Sequence, residues 1–441
     1  MRRMSIPAGQ GNVLALALLS LLVGVGSGLI GAVFRLALDQ ADRLRDAVIL
    51  CAHGVGLGVC IVVGLCAAAA ALAAWLVRRF APHASGSGIP HVEAVLNEEI
   101  QLARFRLIPV KFIGGLLAIG SGLALGREGP SVQMGASVGH LVARLFHRTW
   151  PDCRELFAAG AGAGLATAFN APIAGAIFVL EELAGRFEPR MAIAALGASA
   201  IAISVGRIFV GDTPDFQVEA LAYPAAVTGP LYVLLGLVAG AMAVAYNRAL
   251  LGALSAAELL KALPVELRAA LVGAVVGLFA WFMPDIVGGG DPLTQRALSG
   301  AEALAALPLL FLIRFALGAV SYAAGTPGGL FAPLLVLGAQ LGLLFGLLCQ
   351  LAFPGLPIQP AGFAVVGMAA FFTGVVRAPV TGIALVTEMT AGFTMLLPML
   401  GACFAAMLVP MLLRNRPIYD SLREHTVRRE RELRVQAKTA A

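Results

Sequence analysis

The sequence predicts an all-α polytopic membrane protein made of two related halves, with helices that break inside the bilayer. Three observations carry that prediction. First, of 441 residues 59% are hydrophobic and only 13% charged, and the mean hydropathy is +0.88. Soluble domains carry about 25% charged residues. Second, apolar stretches close to the ~20 residues that span a bilayer recur along the whole chain. Third, two glycine–proline motifs interrupt the apolar chain at related places: Gly126-Arg127-Glu128-Gly129-Pro130 and Gly329-Leu330-Phe331-Ala332-Pro333.

Taken in order, the apolar stretches are 12–34, 54–77, 107–125, 155–180, 191–206, 226–245, 267–283, 304–324, 331–353, 361–376 and 395–413. The first is too long, and too poorly followed by a cleavage site, for an ordinary signal peptide, so it reads as a membrane helix. Several others are short or interrupted by Gly and Pro. Broken backbone at membrane depth is tolerated only where protein buries it or water wets it, which points to a transporter or channel. Polar residues Gly211–Val218 and Ala222–Ala226 join the halves, and Asp285–Gly300 reads as a second polar loop. One transmembrane domain is expected over 1–413, with half 1 at about 12–210 and half 2 at about 225–413.

Residues 414–441 read as a short cytoplasmic basic tail, too short for a folded regulatory domain. Arg2 and Arg3 precede the first helix, and Arg414, Arg416, Arg423, Arg428, Arg429 and Arg431 follow the last. Basic flanks at both ends place both termini in the cytoplasm. The net charge of +6 then reflects topology. Asp420, Glu424, Glu430 and Glu432 interleave with the tail arginines, which argues against a nucleic-acid partner. The six cysteines contain no C-x-x-C pair and read as small apolar filler, so neither a metal site nor a disulfide framework is expected.

The repeat is direct. Asn170-Ala171-Pro172-Ile173-Ala174-Gly175 leads to Glu181, and Arg377-Ala378-Pro379-Val380-Thr381-Gly382 leads to Glu388, with Ala-Pro, Gly and Glu at the same spacing. Gly160 corresponds to Gly367 in that register. Pro130, Gly135 and Gly139 repeat as Pro333, Gly338 and Gly342. Matching broken helices in two halves point to a central binding site. Whether the halves are inverted depends on a count of crossings that short helices leave open.

Each glycine–proline motif reads as a helix N-terminus at membrane depth. Unpaired backbone N–H groups there make an anion site inside lipid. Glu128 adds a carboxylate to such a site. A charged side chain at that depth costs a few kcal/mol and is functional by default. A carboxylate and a transported anion would compete for the same place, which makes a proton-linked anion pathway the leading idea.

With these residues in view, the chain resembles the CLC family of chloride channels and proton-coupled chloride exchangers, of the prokaryotic type without C-terminal CBS domains. Gly86-Ser87-Gly88-Ile89-Pro90, the Glu128 motif and the Phe331 motif occur in the family's order, and Pro417-Ile418-Tyr419 follows the last helix. The similarity covers about 85–420. It implies a homodimer of all-helical subunits, each with its own pore built from two inverted halves with broken and re-entrant helices. It further implies a multi-pass protein of the cell inner membrane whose partners are chloride, protons and the lipid bilayer, with no cofactor.

The implied chloride-binding set is Ser87, Gly88, Ile89, Arg127, Gly129, Leu330, Phe331 and Tyr419. Ser87 and Tyr419 would each give a hydroxyl to a central, dehydrated chloride. Ser87 could otherwise cap a helix, and Tyr419 could anchor at the interface. Leu330 and Phe331 would offer backbone N–H groups. The resemblance makes Glu128 the external gate and proton acceptor, and Glu182 the internal proton-transfer group. Glu181 matches Glu388 across the repeat, which suggests that both satisfy buried helix ends. His91 stands where many relatives carry Glu, while Glu93 fits their pattern.

The expected activity is secondary active chloride/proton antiport and not enzymatic catalysis. A passive voltage- or pH-gated chloride channel is the alternative on the same scaffold. A fluoride/proton exchanger is a third reading, against which Ser87 and Tyr419 speak. Gly135-Ala136-Ser137-Val138-Gly139 mimics a hydrolase nucleophile elbow and Gly26-Ser27-Gly28-Leu29-Ile30-Gly31 a dinucleotide fingerprint. Neither lies in a strand–turn–helix context, and 52 glycines make such matches common.

Overall fold

The computed structural model describes residues 12–260 and 262–439, and its regular structure is helical throughout. The first half holds α1 (Val13–Ala52), α2 (Gly58–Phe80), α3 (Ile89–Leu96), α4 (Leu107–Gly120), α5 (Glu128–Leu145), α6 (Trp150–Phe169), α7 (Pro172–Phe178) and α8 (Pro189–Val210). The second holds α9 (Gly229–Leu259), α10 (Val265–Phe282), α11 (Asp291–Leu298), α12 (Leu307–Ala323), α13 (Phe331–Ala352), α14 (Pro360–Val376), α15 (Pro379–Thr390) and α16 (Leu396–Leu412), and α17 (Ile418–Thr439) follows. Among the described residues, six helices are long and apolar enough to cross a membrane: α1, α2, α8, α10, α13 and the Ala226–Leu259 segment that contains α9.

Burial sorts the helices into layers. On α1, Leu16, Leu19, Val23 and Ser27 are buried, while Leu14, Leu18, Leu22, Val25 and Leu29 on its other face are exposed. A helix apolar on both faces belongs between a protein core and lipid. α6 and α14 are buried almost all round and form the centre of each half. α5 packs on α6, and α13 on α14, through equivalent glycines. A Cβ at Gly135 would overlap the Gly160 carbonyl oxygen, and one at Gly338 would lie 2.5 Å from that of Gly367. Small residues let the backbones touch, which is how helices associate without a hydrophobic driving force.

The halves are inverted repeats about a pseudo-two-fold axis. Gly126 and Gly329 hold the same place in their motifs and exchange both hydrogen bonds: Gly126 N–H to Gly329 C=O at 2.9 Å, and Gly329 N–H to Gly126 C=O at 2.7 Å. Antiparallel pairs exchange bonds in this way, and here the paired residues are also equivalent in the repeat, as a local two-fold relation requires. The Ala-Pro helices behave alike. Glu181 accepts from Val380 N–H at 3.0 Å and Thr381 N–H at 2.6 Å at the start of α15. Glu388 accepts from Ile173 N–H at 3.0 Å and Ala174 N–H at 2.8 Å at the start of α7. The two glutamates therefore cap each other's helices, in line with the shared role expected from the repeat.

Several elements depart from the sequence reading. The first membrane helix runs on to Ala52 instead of ending near 34. The stretch 155–180 is two helices. Pro172 has no N–H and drives Ala171 out of helical backbone, and Asn170 closes α6 at φ +49°. Arg377 closes α14 likewise at φ +71°. The loop expected over Asp285–Gly300 contains α11. The basic tail, which the sequence reading left without an element, carries α17. Arg2 and Arg3 lie outside the described residues.

Candidate functional site

Four helices begin near one buried point: α3 after Gly88, α5 at Glu128, α13 at Phe331 and α17 just before Tyr419. The first-turn N–H groups of a helix have no partner within it, and the helix dipole adds partial positive charge there. The N-cap residues of α3, α5 and α13 make no side-chain bond to their own helices. Convergent N-termini without local caps favour an anion.

The motif glycines set how closely the pieces meet. A Cβ at Gly126 or Gly329 would occupy the space of the Glu128 carboxylate. A Cβ at Gly129 would lie 2.6 Å from Ser87 Oγ. Gly88, at φ +91°, turns the chain from Ser87 into α3 in a conformation that side chains disfavour.

Glu128 is fully buried. Its Oε1 accepts the Phe331 N–H at 2.5 Å, and its Oε2 has no partner. The carboxylate thus sits on the N-terminus of α13, in the place of an anion bound there. Ser87 and Tyr419 are both fully buried, and neither Ser87 Oγ nor Tyr419 Oη has a hydrogen-bond partner. Buried hydroxyls without partners are costly, so these two are arranged for something besides protein. Ser87 does not cap α3. Tyr419 lies in the first turn of α17 with its ring centroid 5.9 Å from that of Phe331, and Phe331 packs edge-on against Phe372 at 4.6 Å and Phe178 at 5.8 Å. Leu330 and Ile89 are fully buried beside these termini.

The other residues divide between two faces. Arg127 donates to Ala168 C=O at 2.8 Å and pairs with Asp215 and Asp291, each at 3.2 Å. Arg35 holds the second oxygen of Asp215 at 2.6 Å. Arg127 borders a cavity of about 120 Å³ that Asp39, Asp42, Arg45 and Gly288–Gly290 also line. Its guanidinium is thus engaged by carboxylates at a mouth and lies apart from the hydroxyl pair. Glu182 lies towards α17, half-buried, its carboxyl facing that of Glu93, with Asp420 nearby. Two carboxyls that face each other share a proton more readily than either holds a charge alone.

Four further residues that matter here escaped the sequence reading. Lys111 is fully buried in α4 and donates to Gly86 C=O at 2.7 Å and Ala84 C=O at 3.0 Å, which fixes the Ser87 loop. Arg314, buried in α12, donates to Ile286, Gly288 and Gly289 carbonyls at 2.6–3.1 Å and holds the loop at the Arg127 mouth. Both are lone cations inside apolar runs, and that signal was available. Asp215 lies in the linker and had none. Tyr322 places its hydroxyl against the Ser87 N–H at 3.4 Å. His91 is buried with both ring nitrogens unpartnered. Among the described residues, no group of three or more His, Cys, Asp or Glu could hold a metal ion.

The family described as voltage gated chloride channel matches residues 69–410. A Cronobacter sakazakii protein named H(+)/Cl(-) exchange transporter ClcA is 38% identical over 432 residues, covering 96% of this chain and 92% of its own. One of the same name from Vibrio cholerae serotype O1 is 37% identical over 427 residues, 94% of this chain and 90% of its own. Among solved structures, a slow cyanobacterial Cl−/H+ antiporter superposes with a TM-score of 0.90 at 32% identity, covering 95% of this chain and 99% of that one. A CLC-type fluoride/proton antiporter superposes with a TM-score of 0.74 at 22% identity, covering 90% and 95%, a likeness of fold alone.

Proposed function

This chain belongs to the voltage-gated chloride channel (CLC) family, and from that premise we propose that it is a secondary active chloride/proton antiporter of the inner membrane, with one anion pathway in each subunit of a homodimer. The observation that carries the reading is Glu128. A buried carboxylate bonded to the Phe331 N–H at 2.5 Å occupies a position built for an anion. While it is ionised, it blocks that position. Protonation weakens its hold on the N-terminus of α13, because a neutral carboxyl is a poorer acceptor and the dipole no longer attracts it. The side chain then leaves and chloride takes its place. One group thus couples the two ions.

Ser87 and Tyr419 hold the central chloride through their unpartnered hydroxyls, with N–H groups of the adjoining helix N-termini around it. Arg127, with Asp215 and Asp291, forms the outer mouth. Its charge draws anions in, and the two carboxylates keep it from trapping them. The face that carries α17 and the basic tail is cytoplasmic, and Glu182 passes protons from that side together with Glu93. This inner acidic pair favours an exchanger over a passive channel, which needs no proton relay.

The test uses purified protein in chloride-loaded liposomes, with a chloride gradient as the sole driving force and a pH electrode outside. Proton movement against its own gradient is the expected result. Chloride flux without proton movement would mean a passive channel. Light scattering of the detergent-solubilised protein reads the subunit number.

A further inference from the structure

The loop that carries Ser87 is held on all sides. Gly86 N–H bonds to Thr326 C=O at 3.0 Å, and Gly86 C=O accepts from Gly328 N–H at 3.1 Å. Ser85 Oγ donates to Gly325 C=O at 3.0 Å. Tyr322, buried at the end of α12 just before that second loop, reaches over this junction. A Cβ at Gly86 would lie 3.2 Å from Tyr322 Oη, so glycine lets the phenol approach the backbone.

The hydrogen bonding of that phenol is incomplete in a particular sense. Tyr322 Oη accepts the Ser87 N–H, and at 3.4 Å the contact is longer than the usual ~2.7–3.2 Å. The Tyr322 O–H proton donates to nothing among the described residues. Next to it, Ser87 Oγ has no partner, and neither does Tyr419 Oη. The cluster therefore contains three buried hydroxyl protons with no acceptor to receive them, beside one N–H held only by the long contact to Tyr322 Oη. Hydroxyls can satisfy one another only if one accepts, and a chain of them still leaves one proton over. A species that only accepts completes the set, and a halide is such a species.

We propose that Tyr322 is a third hydroxyl ligand of the transported anion, donating its O–H alongside Ser87 and Tyr419. The Ser87 N–H, only loosely engaged by Tyr322 Oη, turns partly to the same ion. This rests on the reading of Ser87 and Tyr419 as the central chloride site. It makes anion affinity depend on Tyr322, whose hydroxyl otherwise holds only the long contact from the Ser87 N–H.

Tyr322→Phe tests it, because the ring that fills the core stays and only the oxygen goes. Chloride and iodide binding to the purified protein are measured by isothermal titration calorimetry, beside Ser87→Ala and Tyr419→Phe. A hydrogen bond to a charged partner is lost, so chloride affinity should fall roughly ten- to a hundredfold. Iodide, with its lower charge density, should lose less. An equal loss for both halides would indicate a merely positional role and overturn the proposal. Unchanged affinity in Tyr322→Phe, with weakened binding in the other two variants, would also overturn it and leave the central site intact. If none of the three variants alters chloride binding, the central-site reading fails and Tyr322 falls with it.

Discussion

Glu128→Gln removes one charge and keeps the size and shape of the side chain. In the native protein Glu128 Oε1 accepts the Phe331 N–H at 2.5 Å. A hydrogen bond to an ionised acceptor contributes about 1.5–3 kcal/mol, against about 0.5–1.5 for a neutral one, so roughly 1 kcal/mol is lost there. The α13 N-terminus also stops favouring the side chain electrostatically, which is worth about 1 kcal/mol in a partly buried setting. The side chain's preference for the anion position thus falls by roughly 2 kcal/mol, or about thirtyfold at 1.4 kcal/mol per factor of ten. Chloride competes for that position and gains accordingly. In liposomes, Glu128→Gln should pass chloride without moving protons. Its chloride flux should also lose pH dependence. On the proposed mechanism, lower pH should protonate the native gate and raise flux, whereas a glutamine has nothing to titrate. Chloride flux that stayed proton-coupled in Glu128→Gln, or that kept the native pH dependence, would refute the assignment of gate and proton acceptor to one group.

Three other perturbations separate transport from architecture. Glu182→Gln should abolish proton movement and spare chloride flux in the same assay; if both fluxes are unchanged, the inner relay lies elsewhere. Glu388→Gln should leave coupling intact but lower the thermal unfolding temperature of the detergent-solubilised protein by a few degrees. Its amide can accept only one of the Ile173 and Ala174 N–H bonds and sets its own N–H against the other, at a cost of about 1–3 kcal/mol. Glu181→Gln should match it, because the contacts are reciprocal, and a thermal effect confined to one of the pair would show that they do not act as equivalent caps. Gly135→Leu should abolish the folded yield on size-exclusion chromatography, since even a methyl there would overlap the Gly160 carbonyl; a monodisperse variant would show that α5 and α6 can part without loss.

Much of this was legible in the sequence because glycine and proline mark backbone events. Pro172 and Pro379 end one helix and start the next, and Gly126 and Gly329 mark where two chain segments touch. Hydropathy saw the long apolar helices well, the buried α6, α13 and α14 among them, and the short ones poorly. α3, α11 and α15 are too short to register, and their order comes from tertiary packing. The polar end of α1, with Asp39, Asp42, Arg45 and Asp46, fell outside the apolar stretch 12–34 because it lines a polar mouth. Lys111 and Arg314 were readable by the rule that singled out Glu128, namely that an ion in an apolar run needs a reason. Tyr322 was not. A tyrosine near a helix end is ordinary, and only the three-dimensional approach of Gly86 makes its hydroxyl unusual.

The repeat itself separates structural residues from transporting ones. Where a role is architectural, the halves carry the same residue: Gly135 and Gly338 at helix crossings, Glu181 and Glu388 at helix starts. At other equivalent places they differ. Glu128 corresponds to Phe331, and the two meet, the carboxylate of one on the N–H of the other. Glu182 corresponds to Met389, which is buried and apolar. The fold therefore does not require an acid at position 182. The backbone differs at the same spot. α15 continues as an α-helix through Thr390, whereas α7 passes into a π-turn over Val179–Leu183, closed by Ala184 N–H to Val179 C=O at 2.8 Å. Such turns are rare and gather at functional sites. Here the widened turn lets two consecutive glutamates serve different neighbours. Glu181 stays on the start of α15, as symmetry asks, and Glu182 turns to Glu93 and α17, which have no counterpart in that role. On the proposed function, the departures from symmetry are where chloride and proton chemistry would enter a scaffold that otherwise packs alike in its two halves.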